Sequence, residues 1–91
     1  MFDYLSYTIV GVKMENNISL NKINLNKKYI IEKVLLDEHT KKRIYDLGMI
    51  ENTIIEAVYK SPFNDPIAYL VRGAIIAIRN KDAEKIIVRR M

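Results

Sequence analysis

The sequence contains no cysteine, which excludes disulfides and thiolate metal centres. A small protein without covalent staples suits a reducing compartment, so the cytoplasm is the expected location. Histidine occurs once, at His39, and the acidic residues form no dense cluster. The imidazole and carboxylate ligands of a dedicated transition-metal site are therefore lacking, and no metal or cofactor is expected. The adjacent Asp37-Glu38-His39 offers at most a weak surface site. Only three glycines are present and none are clustered, which excludes a glycine-rich phosphate loop. No nucleophile–base pair is evident, so the chain does not read as an enzyme. No stretch approaches the ~20 apolar residues of a membrane span. The N-terminus lacks the basic, apolar and cleavage regions of a signal peptide.

What remains is a chain of 91 residues, 49% of them hydrophobic, with a net charge of +4. The length predicts one domain, and the mixed composition is that of a globular protein. Heavy use of isoleucine favours strands. Basic residues come in short runs, Lys27-Lys28, Lys41-Lys42-Arg43 and Arg89-Arg90, separated by acids. They read as solvated faces. The rival reading is a phosphate-binding surface made by Lys41, Lys42, Arg43, Arg89 and Arg90, which lacks interleaved aromatics for base stacking.

Residues 1–16 form an N-terminal extension: an edge strand, a tail, or the product of a start upstream of Met14. Residues 17–91 form the domain. Ser19 is placed to cap a short helical turn. Strands are expected over Tyr29–Leu36, Thr53–Lys60, Ile67–Val71, Ala74–Arg79 and Ile86–Val88. Ile55, Ala57 and Tyr59 are expected to share one face, and Ile67, Tyr69 and Val71 another. Asp37 to Gly48 reads as a helix, capped by Asp37 or Thr40 and ended by Gly48 in a left-handed conformation. Its Ile44 and Leu47 should lie on one face. Ser61–Pro66 is a loop, Arg72-Gly73 a tight hairpin turn, and Asn80 the cap of a single helical turn. Arg79 is expected to pin that turn or a carboxylate such as Asp46. The fold expected is mainly β: a small barrel of about five strands with one or two short helices.

Four segments together resemble one family. They are Arg43-Ile44-Tyr45-Asp46-Leu47-Gly48-Met49, Thr53-Ile54-Ile55-Glu56-Ala57, Ser61-Pro62-Phe63-Asn64-Asp65-Pro66-Ile67, and the stretch Ile76 to Val88. In this order and spacing they resemble the FeoA domain, named for ferrous-iron transport protein A. Glu51-Asn52 stands where the family has Pro-Gly, and Asn64 stands where it has Gly. Asparagine is the residue that best replaces glycine at positive φ, so Asn52 and Asn64, with Gly48 and Gly73, are the expected turn-geometry positions.

The resemblance implies an SH3-like barrel. It also implies a role in bacterial ferrous-iron uptake, beside a large membrane transporter of the FeoB type whose cytosolic part hydrolyses GTP. Similar domains end iron-dependent repressors. With no helix-turn-helix ahead of the barrel, the stand-alone transport accessory is the expected form. A non-enzymatic module acts through a surface, and Ile44, Met49 and Phe63 are the candidate partner-binding residues, with a homo-oligomer a further possibility.

Overall fold

The structure, a computed structural model, describes residues 17–91. The N-terminal extension read over residues 1–16 lies outside the described residues. The elements run β1 (Asn17–Ser19), a 3₁₀ turn (Leu20–Lys22), β2 (Lys28–Val34), α1 (Glu38–Asp46), β3 (Ile54–Lys60), β4 (Ile67–Val71), β5 (Ala74–Ile78), α2 (Asn80–Ala83) and β6 (Ile86–Arg90). Among the described residues six strands form one antiparallel sheet in the order β1-β6-β2-β3-β4-β5. The strand beyond the expected five is β1, which starts at the first described residue.

Alternation decides which side chains enter the core. On β4, Ile67, Tyr69 and Val71 are buried while Ala68 and Leu70 are half-buried. Two irregularities shift this rhythm. On β2 the pairing with β6 slips between Ile31 and Lys33, so Tyr29, Ile31 and Val34 are buried although Val34 breaks the period of two. On β3 the pairing with β4 slips between Ala57 and Tyr59. A bulge inserts one residue and reverses the facing of the residues beyond it. Ile55 and Ala57 are therefore buried, but Tyr59 is exposed, correcting the expectation that the three share a face.

The sheet curls until its first edge approaches its middle strands. The Tyr69 hydroxyl on β4 donates to the Leu20 carbonyl at 3.3 Å, and burial pushes this phenol's pKa well up. The Asn26 N–H donates to the Ala57 carbonyl at 2.8 Å, and Leu25 makes an isolated parallel bridge to Ala57. Inside lie Leu20, Ile23, Tyr29, Ile31, Met49, Ile55, Tyr69, Ile86 and Val88, each essentially without solvent contact. Burying a large apolar side chain contributes ~1.5–3 kcal/mol, so this shared interior is the main source of stability. Ser19 precedes the 3₁₀ turn but caps nothing through its side chain. Its hydroxyl donates instead to the Glu84 carbonyl at 2.9 Å, tying β1 to the end of α2.

Candidate docking surfaces

Helix α1 begins at Asp37, whose carboxylate accepts from the Thr40 N–H at 3.3 Å. Hydrogen bonding from Thr40, its side chain first and then its backbone N–H, holds the Asp37 pKa below its ordinary value. The helix ends through Leu47 into Gly48, at φ +93°. A Cβ on Gly48 would stand 3.0 Å from the Arg72 Cδ, so the β4–β5 hairpin packs its arginine stem across the helix end. The chain then turns at Ile50–Thr53, with the Thr53 N–H bonded to the Ile50 carbonyl and Asn52 at φ 70°. The turn is anchored to mid-β2: the Asn52 N–H donates to the Ile31 carbonyl at 2.7 Å, and the Ile31 N–H donates to the Thr53 carbonyl at 2.9 Å. The Tyr45 hydroxyl reaches Glu51 at 2.7 Å. This bond lowers the Glu51 pKa and raises that of Tyr45.

Of the three candidate partner-binding residues, two are withdrawn by this geometry. Ile44 is 5% exposed and Met49 0%. Ile44 occupies the inner face of α1, and Met49 follows the left-handed Gly48, which swings it back toward the barrel. Both are core residues. Leu47 does not share the buried face of Ile44; it sits at the C-cap, half-exposed.

Phe63 is different: it is 90% exposed, and the loop that carries it is held at several points. The Ser61 hydroxyl accepts from the Asp65 N–H at 2.9 Å, and the Asn64 N–H donates to the Ser61 carbonyl at 2.7 Å. Asn64 has φ 60°. The Asp65 carboxylate accepts from the Asn80 N–H at 3.0 Å, and the Asn80 side-chain amide donates to the Asn64 carbonyl at 2.6 Å. So Asn80 is the first residue of α2, following the N-cap Arg79, and its N–H is satisfied by Asp65 from a distant loop. Tyr59, which the bulge turns outward, adds a second exposed aromatic on the strand leading into this loop. No feature of the sequence marks that bulge, and alternation alone places Tyr59 in the core.

The other candidates are dispersed. Among the described residues no three His, Cys, Asp or Glu side chains converge as a metal site would require. Glu38, His39, Lys41, Lys42, Tyr45 and Asp46 line an open groove of ≈ 580 Å³ beside α1, all from one helix. Lys41 lies 5.5 Å from the centre of the Tyr45 ring, and Arg89 pairs with Glu32 at 2.7 Å. The basic residues of the nucleic-acid reading are thus split between α1 and β6, and two of them have partners within the chain. Among the described residues Arg79 makes no ion pair, with Asp46 or otherwise, so its expected carboxylate contact is not formed.

Comparison with known proteins places this arrangement. The model of the FeoA domain matches residues 18–90. The chain belongs to the FeoA domain family. Membership implies a role in ferrous iron transport. A FeoA-like protein from Clostridium acetobutylicum is 28% identical, with a TM-score of 0.75 over 84% of this chain and 88% of its own. The FeoA of Stenotrophomonas maltophilia, solved in complex with zinc and described as a prokaryotic SH3 domain protein, is 21% identical, with a TM-score of 0.69 over 78% of this chain and 88% of its own. A manganese-dependent transcriptional repressor shares the fold alone, at 12% identity and a TM-score of 0.75 over 82% of this chain and 42% of its own. No curated protein sequence matches the chain. The sheet described above is therefore an SH3-like FeoA fold, and the Ser61–Pro66 loop is one of the segments by which the chain resembles that family.

Proposed function

We propose that this FeoA-family chain is a non-enzymatic cytoplasmic accessory of ferrous-iron uptake, docking on the cytosolic domains of a FeoB-type GTPase transporter. Residues 17–91 are the functional module. The observation that carries the reading is Phe63: a large aromatic side chain, 90% exposed, on a loop held to α2 by two hydrogen bonds. Binding energy concentrates in a few aromatic anchors, and a pre-held loop loses little conformational freedom on association. Tyr59 extends the same end of the barrel. No helix among the described residues is long and apolar enough to cross a membrane, in keeping with a partner that supplies the membrane part. The test is a titration of the chain into the purified cytosolic domain of the FeoB-type transporter from the same source, read by calorimetry and by GTP hydrolysis. Saturable binding that changes the hydrolysis rate supports the proposal. No binding at ~100 μM of either protein, where even a weak transient contact registers, contradicts it.

A further inference from the structure

The two edges of the sheet are unlike. Among the described residues β1 covers Asn17–Ser19, and what precedes it lies outside them. β5 is the five-residue run Ala74-Ile75-Ile76-Ala77-Ile78, with no charge and no proline. Ile75 is 62% exposed, and Ala74 and Ala77 are exposed beside it. Among the described residues no strand pairs with the outer side of β5. Natural edge strands are commonly blunted by lysine, proline, bulges or short length, and β5 has none of these.

The hairpin geometry shows which backbone groups are open. Arg72 and Gly73 both have positive φ, +52° and +81°, as a two-residue primed turn requires. Such a turn makes Val71 and Ala74 a hydrogen-bonded pair, and the antiparallel ladder then alternates. Along the register Ala74↔Val71, Ile76↔Tyr69 and Ile78↔Ile67, these β5 residues direct N–H and C=O toward β4. Ile75 and Ala77 direct theirs to the open edge.

We infer that β5 is a self-association edge, occupied by β5 of a second copy, antiparallel about a two-fold axis through Ile76. A two-fold interface requires that if residue i meets j, j meets i. Centring on Ile76 satisfies this with the sequence as it stands. Ile75 faces Ala77 of the second copy and Ala77 faces Ile75, so a large side chain meets a small one twice on the outer face. The same two pairs use the open N–H and C=O groups and form four inter-chain hydrogen bonds. On the inner face Ala74 meets Ile78. The flanking charges fall harmlessly: Arg79 faces Gly73 and Arg72 faces Asn80, with no like charges opposed. The outer apolar surface formed by Leu70 and Ile75, which are paired across β4 and β5, continues into the second copy. This edge is separate from the Phe63 loop and does not depend on the transporter reading.

The test is sedimentation equilibrium of the full chain from ~10 μM to ~1 mM, since a small interface gives a weak dimer. The expected result is a mass rising toward twice that of the chain. Ile75→Lys and Ala77→Lys should each abolish the rise while leaving the melting temperature nearly unchanged, because both side chains are exposed. The register has its own readout, since the chain has no cysteine. Under mild oxidation Ile76→Cys should give disulfide-linked dimers, as facing residues of a non-hydrogen-bonded pair lie ~4.5 Å apart at Cα. Ile75→Cys, two residues out of register with its own copy, should not. A mass that stays monomeric throughout overturns the inference, as does a dimer that survives both lysine variants. Equal cross-linking by the two cysteine variants overturns the register. A monomer whose Ile75 and Ala77 amides resist exchange until residues 1–13 are deleted would show the edge covered by the chain's own N-terminal segment, and would also overturn it.

Discussion

Two glycines with similar positive φ offer a controlled comparison. Gly48 has φ +93° and Gly73 φ +81°. Alanine at either must take a conformation that costs an L-residue ~1–2 kcal/mol. At Gly73 nothing lies within 4 Å of the added Cβ, whereas at Gly48 the Arg72 Cδ stands 3.0 Å away. Gly48→Ala therefore carries a second cost: the Arg72 stem must leave its rotamer, worth ~0.5–1.5 kcal/mol. The expected losses are ~1–2 kcal/mol for Gly73→Ala and ~1.5–3.5 kcal/mol for Gly48→Ala. For a domain of this size each kcal/mol lowers the melting temperature by roughly 4–8 °C. Urea unfolding of both variants, alone and with Arg72→Ala, measures the difference. In the Arg72→Ala background the two losses should converge, because the obstructing stem is gone. Equal losses in the parent, or a gap that Arg72→Ala leaves intact, would refute the packing of the hairpin against the helix end.

The same geometry sets further outcomes. Asn52→Gly should be neutral or mildly stabilising and Asn52→Val should cost ~1 kcal/mol or more, since β-branched residues are poor at positive φ; equal melting temperatures would count against the turn. Ile44→Ala and Met49→Ala should each lose ~2–5 kcal/mol in chemical denaturation, and a well-folded Ile44→Gln would show that this side of α1 is not core. The Tyr45–Glu51 bond depresses the Glu51 pKa and raises that of Tyr45. Its stabilisation is therefore present at neutral pH, lost as pH falls through the carboxylate range, and lost again as pH rises through the phenol range. Tyr45→Phe should flatten both limbs of the stability–pH profile, and an unchanged acid limb would argue that the bond is not formed in solution.

How much of the fold is legible in the sequence depends on the signal each element leaves. The alternation Ile67-Tyr69-Val71 and the Asp37–Gly48 helix frame are visible because period and caps are local properties. Asn52 and Asn64 can be named as turn positions because they stand where the FeoA family has glycine, and asparagine best replaces glycine in left-handed backbone. The bulge after Ala57 leaves no such mark: any residue can be the extra one, and its effect is to reverse Tyr59. The link from Asp65 to Asn80 joins residues fifteen apart, and only the closed fold brings them together. Ile44 and Met49 resemble docking residues in the sequence because apolar residues near a helix end look alike whether they face a barrel or solvent. Burial separates them from Phe63.

Surface docking anchored at Phe63, as proposed for this FeoA-family module, stands or falls on a comparison of two chains. The cytosolic domain of the FeoB-type transporter is titrated with the parent chain and with Phe63→Ala, alongside the melting temperature of each. An aromatic anchor contributes ~2 kcal/mol or more, so the variant should bind about thirtyfold more weakly or worse. Its melting temperature should be unchanged, because Phe63 touches little of its own fold. Unaltered affinity in a folded Phe63→Ala chain would contradict the claim.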